Sequence, residues 1–181
     1  MTREILRVGA PSLAAVAAGV TRIDDPAVQA DAADLLAALA EFRATHGFGR
    51  AIAAPQIGID RRMIALAVPG WPAVLVNPEI VWASDERITL WDDCMCFPDT
   101  LVRVARHASI SVVGFDLDGQ RHEKLQLPRD EAELLQHEID HLDGKLSFDR
   151  AVGDEAIVSR RDFEADRAAF ARQVDYFPHP L

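Results

Sequence analysis

The run Gln136-His137-Glu138-Ile139-Asp140-His141-Leu142-Asp143-Gly144 sets two imidazoles four residues apart, with a carboxylate directly after the first. At about 3.6 residues per helical turn, this spacing brings His137 and His141 to one face, where both can reach one cation from a rigid frame. Glu138 beside them can take a proton from a water whose pKa a metal lowers from 15.7 to about 7, and can deliver it to a departing amine. Histidines so spaced also occur as ordinary surface residues; the glutamate after the first favours metal chemistry. A catalytic site of this kind takes three protein ligands and keeps one position open. Cys94, in Asp92-Asp93-Cys94-Met95-Cys96-Phe97-Pro98, is the best third candidate, because a thiolate binds zinc or ferrous iron strongly. Without the histidine pair, Cys94 reads as a small buried hydrophobe. His46, His107, His122 and His179 lack partner spacing and read as solvated or structural.

The elements that position these residues follow from periodicity. Residues 26–45 carry Val28, Ala32, Leu35, Leu36, Leu39 and Phe42 at helical spacing, with Asp24 or Asp25 as N-cap and Gly47 as terminator. Short β-type runs follow at 63–68, 73–76, 88–91 and 110–115, after a brief extended stretch at 5–8. Pro69-Gly70, Asn77-Pro78 and the segment 116–119 read as turns between them. The histidines lie on a helix predicted over 129–141, with Pro128 near its start and Gly144 just past its end. A last helix, 154–174, alternates charges as a solvated face does. This order predicts an α+β fold over a single domain, residues 1–181. Trp71, Trp82 and Trp91 fall in or beside strand-like runs and are expected in the core.

Composition narrows the partners. The chain has 181 residues, 49% apolar and 27% charged, with a formal net charge of −10. That charge, with a pI near 5.0, argues against nucleic acid or an anionic membrane and for a small, weakly charged ligand. Cys94 and Cys96 are too close in sequence to staple distant elements, which points to a reducing compartment. The Ala-rich stretch 8–20 after Arg3 and Arg7 is weighed as a secretory leader. Pro11 and Ser12 break it, favouring a folded N-terminus.

Three blocks, in order, resemble the motifs of the peptide deformylase family. Gly49-Arg50-Ala51-Ile52-Ala53-Ala54-Pro55-Gln56 resembles Gly-x-Gly-x-Ala-Ala-x-Gln, residues 92–96 resemble Glu-Gly-Cys-Leu-Ser, and residues 136–144 match the third motif almost completely. Ile5-Leu6-Arg7-Val8-Gly9-Ala10-Pro11 resembles the family's N-terminal segment, so the likeness spans roughly residues 5–150. The resemblance implies a peptide deformylase-like fold, with antiparallel sheets packed around the metal-binding helix and with N- and C-terminal helices. It implies a cytoplasmic hydrolase that removes formyl groups from N-formylmethionyl peptides as formate. Fe2+ would be the usual metal, with Zn2+ or Ni2+ as substitutes. Cys94, His137 and His141 would hold the metal, Glu138 would shuttle protons, and the Gln56 amide with the Met95 backbone N–H would hold the oxyanion. A transient contact with the ribosome would fit nascent-chain substrates, although Arg160, Arg161, Arg167 and Arg172 are interleaved with acids and form no basic patch.

The departures fall where substrate is held. Asp93 and Ala51 stand where the family has glycines, Asp92 replaces Glu, Cys96 replaces Ser, and Leu101 replaces a frequent Arg whose place Arg103 is expected to take. Ala51, Asp93 and Arg103 are therefore the expected substrate-binding residues, and a different formyl-amide is the alternative substrate. A zinc protease would use a His or carboxylate as third ligand, which Cys94 disfavours. A metal-containing peptide binder without turnover would need neither Glu138 nor Gln56. Asp140 and Arg106 are candidates for a buried ion pair that stiffens the helix, outside the catalytic set.

Overall fold

The computed structural model describes residues 3–178. His179 lies outside them. Helix α1, Pro26–His46, starts where Asp25 accepts from the Ala27 N–H at 2.9 Å and stops at Gly47, whose φ of 77° suits a residue without a Cβ. A five-stranded antiparallel sheet contains β1 (Ala51–Ala53), β2 (Met63–Leu66), β3 (Val74–Ala83), β6 (Ile110–Phe115) and β7 (Arg121–Lys124), in the order β1-β2-β3-β6-β7. A second sheet has the order β4-β5-β8, from β4 (Arg87–Asp93), β5 (Thr100–His107) and β8 (Ile157–Ser159).

The alternation of side chains along β1, β2 and β3 divides the core. Ile52, Met63, Ala65, Val74 and Val76 face α1, packing on Val28, Ala32, Leu35 and Leu39. Their neighbours Ala51, Ala53, Ile64, Leu66 and Leu75 face the other way, onto Ala132, Leu135, Ile139 and Leu142 of α2, Arg129–Leu142. Each fully buried Leu or Ile contributes roughly 1.5–3 kcal/mol, so α2 is anchored by its apolar stripe. Gln136 fixes the helix to the second sheet, its amide bonding both backbone groups of His107 in β5. The N-terminal segment closes the helix end: Ala17 N–H donates to Leu142 O at 2.8 Å. Gly144 follows at φ 68°, where a Cβ would come within 2.8 Å of Ala14 O.

Several expectations need correction. Asn77-Pro78 is no turn; it lies inside β3 as a register shift against β6, with Asn77 at φ 49° and its side chain bonded to the backbone of Val20. The helix expected over 154–174 is instead β8, α3 (Arg160–Ala165) and α4 (Arg167–Ala171). Ile157 and Val158 pair with Val102 and Leu101, Ser159 caps α3, and Asp166, at φ −149°, breaks the run and caps α4. Of the tryptophans, Trp91 is fully buried, Trp71 is half-buried with its N–H on Glu131, and Trp82 is exposed on the bulged end of β3. Among the described residues, no helix is long and apolar enough to cross a membrane.

Candidate metal centre and substrate cleft

Helix α2 and the loop after β4 bring three ligand types together. One donor atom from each of Cys94, His137 and His141 lies within 4.8 Å of the others, and all three residues are buried. His141 Nε2 is 3.2 Å from His137 Nε2 and 3.3 Å from Cys94 Sγ. Bonds of about 2.0–2.1 Å to nitrogen and about 2.3 Å to sulfur place neighbouring donors of a tetrahedral ion roughly 3.3–3.6 Å apart, so this set fits a cation. Two imidazoles and a thiolate suit zinc, iron or nickel better than magnesium or calcium.

The surrounding groups orient these donors. His137 Nδ1 lies 3.0 Å from Asp92 Oδ2, which leaves Nε2 for the cluster. Asp92 Oδ2 also accepts from Arg106 Nη2 at 2.7 Å and Ser147 Oγ at 3.0 Å, while Arg106 Nη1 reaches Asp140 at 2.9 Å. Asp140 accepts in turn from Arg150 at 2.7 Å, so the expected Asp140–Arg106 pair is one rung of a ladder that begins at His137. Burial opposes the charge of Asp92, but His137 and Arg106 hold its carboxyl well below the usual range. Burial also opposes protonation of His137; Asp92 outweighs it and raises the imidazole to about 9. Burial and the His137 charge push His141 far down, and burial pushes the Cys94 thiol up. A cation entering the cluster therefore displaces protons from Cys94 and His137.

Glu138 is buried, which raises it to about 7 against the pull of His137, and its Oε2 has no hydrogen-bond partner among the described residues. Gln56 is equally buried. Its Oε1 accepts from Ala53 N–H at 2.7 Å, which turns Nε2 toward the sulfurs of Cys94 and Cys96, each 3.6 Å away. Cys96 adds its own N–H to Cys94 Sγ at 3.4 Å.

A cleft of about 1100 Å³ opens onto this group. Ala51, Gln56, Asp93, Cys94, Met95, His137 and Glu138 all line it, so the cleft gathers most of the expected site residues; His141 lies behind them. Arg103 is the exception. Its guanidinium lies 5.8 Å over the Trp91 ring and donates to Val152 O and Asp154 O, because β5 alternation sends it, like the buried Leu101, to the face covered by the C-terminal segment. The cleft instead receives Arg160, which pairs with Asp93 at 2.8 Å, and Arg50, which pairs with Glu133. Sequence reasoning missed both. Glu133 was detectable, since it precedes His137 by four residues on the same helix face; Arg160 had no local signal.

A model of the polypeptide deformylase family matches residues 2–156. The peptide deformylase of Dictyoglomus thermophilum is 39% identical over 152 residues, covering 84% of this chain and 94% of that protein. That of Thermomicrobium roseum is 40% identical over 157 residues, covering 82% and 85%. Among solved structures, peptide deformylase from Thermotoga maritima superposes with a TM-score of 0.73 at 29% identity, covering 84% of this chain and 99% of that one. A class I type b peptide deformylase from Acinetobacter baumannii, with Met-Ala-Ser bound, gives 0.70 at 29% identity, covering 83% and 98%. With this site on this fold, the chain belongs to the polypeptide deformylase family.

Proposed function

We propose that the chain is a cytoplasmic, metal-dependent hydrolase that removes the formyl group from N-formylmethionyl peptides and releases formate. The observation that carries this reading is the meeting of Cys94, His137 and His141 with the unpartnered carboxylate oxygen of Glu138 at one cleft. Cys94, His137 and His141 would hold a divalent cation, Fe2+ by preference and Zn2+ or Ni2+ in its place, which would supply Lewis acidity to this cleft when bound.

The chain's own groups do the rest. Glu138, poised near neutrality, takes the proton of the attacking water and returns it to the amide nitrogen as the C–N bond breaks, leaving formate and a free amine. Gln56 holds its Nε2 in place through the Ala53 bond and donates to the oxygen that becomes negative, with the Met95 N–H as second donor; one such donor is worth roughly 2.7–4 kcal/mol. Asp92 keeps His137 in the tautomer that presents Nε2. Peptides bind along Ala51 and Asp93, and the peptide held by the Acinetobacter relative supports a peptide ligand here. Transient contact with translating ribosomes is the partner this reading carries. A salt-sensitive pelleting assay tests it.

The reading is tested by loading the protein anaerobically with ferrous iron and measuring formate release from formyl-Met-Ala-Ser. Turnover is expected. Its absence at full metal occupancy overturns the methionyl assignment. A different formyl-amide is the second reading, favoured by the charged pairs Asp93–Arg160 and Arg50–Glu133 on the cleft.

A further inference from the structure

Glu133 and Arg50 are charged groups on the cleft that hydrolysis does not use. Glu133 stands four residues, just over one turn of α2, before His137, about 6 Å along the axis. Its side chain is only 4% exposed, and Oε1 is paired with Arg50 Nη2. Arg50 Nη1 is held by Asp130 O at 2.9 Å, which fixes the pair between the start of β1 and the first turns of α2. The hydrogen bond to Arg50 uses Oε1 and leaves the second oxygen, Glu133 Oε2, without a hydrogen-bond partner among the described residues, and both residues line the cleft. A buried carboxylate therefore offers a free acceptor to whatever enters.

The position of this acceptor relative to the ligands decides what it meets. A formyl carbon beside His137 and Cys94 is separated from the Cα of its own residue by bonds of about 1.33 and 1.46 Å. The side chain of that residue then reaches roughly one helical turn from the reacting carbon, the separation of Glu133 from His137. A thioether placed there strips water from Oε2 and gives nothing back, whereas an amide or ammonium group replaces the lost hydrogen bond.

We propose that Arg50 and Glu133 form the wall of the pocket for the formylated residue's side chain, and that they select formyl peptides whose first side chain carries a hydrogen-bond donor over formylmethionyl peptides. The inference rests on the deformylase chemistry of the proposed function and narrows its substrate toward the second reading given there, a formyl-amide other than the methionyl one. The test is a panel of formyl-X-Ala-Ser peptides with X as Met, Gln or Lys, assayed for formate release by the metal-loaded protein. The expected result is a kcat/KM at least about tenfold higher for Gln and Lys than for Met. The double substitution Arg50→Ile with Glu133→Leu, which removes both charges together, is expected to invert that order. Glu133→Gln, which keeps an acceptor but no charge, is expected to lower Lys relative to Gln while preserving Gln over Met. If the double variant fails to fold, the wild-type panel decides alone. Equal rates, or a preference for Met, in the wild-type protein overturn the inference and leave the deformylase reading standing. No formate from any peptide at full metal occupancy overturns that reading and the inference with it.

Discussion

Asp92 and Asp93 are consecutive residues of β4, and the alternation of the strand gives them opposite surroundings. Asp92 turns inward to His137, Arg106 and Ser147, in a network where the side chains of Asp92, Arg106 and Asp140 are 6%, 2% and 8% exposed. Asp93 turns to the cleft and meets Arg160, with 30% of each side chain in solvent. Buried charges cannot fall back on water when a partner is lost, whereas charges at the rim can. The comparison teaches that one strand braces the Cys94–His137–His141 cluster from one face and lines the cleft from the other, so the two faces should tolerate change very differently.

The largest effect is expected at Glu138, on the inner side of the cleft. Glu138→Gln should reduce formate release by about 10²- to 10⁴-fold while metal analysis still finds a full complement. The same substitution carries a stability signature. The Glu138 carboxyl is raised from its ordinary range to about 7, so the folded state holds its proton more tightly than the unfolded chain. Its contribution is present at low pH and is lost as pH rises through 7. Metal-free Glu138→Gln should therefore melt above the wild type at pH 8 and level with it at pH 4. A variant that keeps its activity would move the chemistry away from this wall.

Arg106→Met comes next and breaks the ladder at its middle. It leaves Asp92 and Asp140 buried without their shared cation, a loss of about 3–5 kcal/mol readable by denaturant unfolding. Because Asp92 then holds His137 less firmly, metal affinity should fall by about 10- to 100-fold in a chelator competition. The pH dependence follows from the same carboxylate. Asp92 has its pKa depressed by folding, so its stabilisation is present above the unfolded value of about 3.9 and is lost as pH falls below it. Acid unfolding of the metal-free wild type should thus begin near pH 4, and Asp92→Asn should flatten that limb. An Arg106→Met protein as stable as the wild type would erase the contrast between the two faces.

How much of this could be read in advance also divides along the same line. The grouping of His137, Glu138 and His141 is legible because helical spacing is a local code, and these residues define their own geometry once α2 is recognised, whereas Cys94 joins them only by thiolate chemistry and a fold contact from outside the helix. Helix α1 is legible for the same reason, and its cap and terminator stand where Asp25 and Gly47 predict. The strands β1, β7 and β8 are short, three or four residues each, and carry too little alternation to be seen. The cleft rim is illegible because its partners are distant in sequence. Arg160 reaches Asp93 only after β8 has paired with β5, an event no local pattern announces. Arg103, two residues beyond the buried Leu101, takes the same face of β5 and is carried away from the cleft by the alternation that a correct strand assignment would have revealed.

The smallest expected effect is at the rim itself, and it is the most exacting test of the comparison. A double-mutant cycle between Asp93→Ala and Arg160→Ala should return a coupling of only about 0.2–1 kcal/mol in unfolding free energy, because solvent screens both charges. Arg160 keeps its bond to Pro98 O when Asp93 is removed, so the C-terminal segment stays docked. What changes is the charge that an incoming peptide meets. Asp93→Ala leaves Arg160 only the looser pair with Glu164 at 3.9 Å, and peptides with acidic residues after the formylated one should gain through a lower KM, while kcat, set at the inner wall, holds. The gain should shrink as salt is added, since an exposed charge acts over no more than about 10 Å at 0.1 M ionic strength. A loss in kcat of the size seen for Glu138→Gln would show instead that Asp93 belongs with Asp92, and that one strand face cannot be changed without the other.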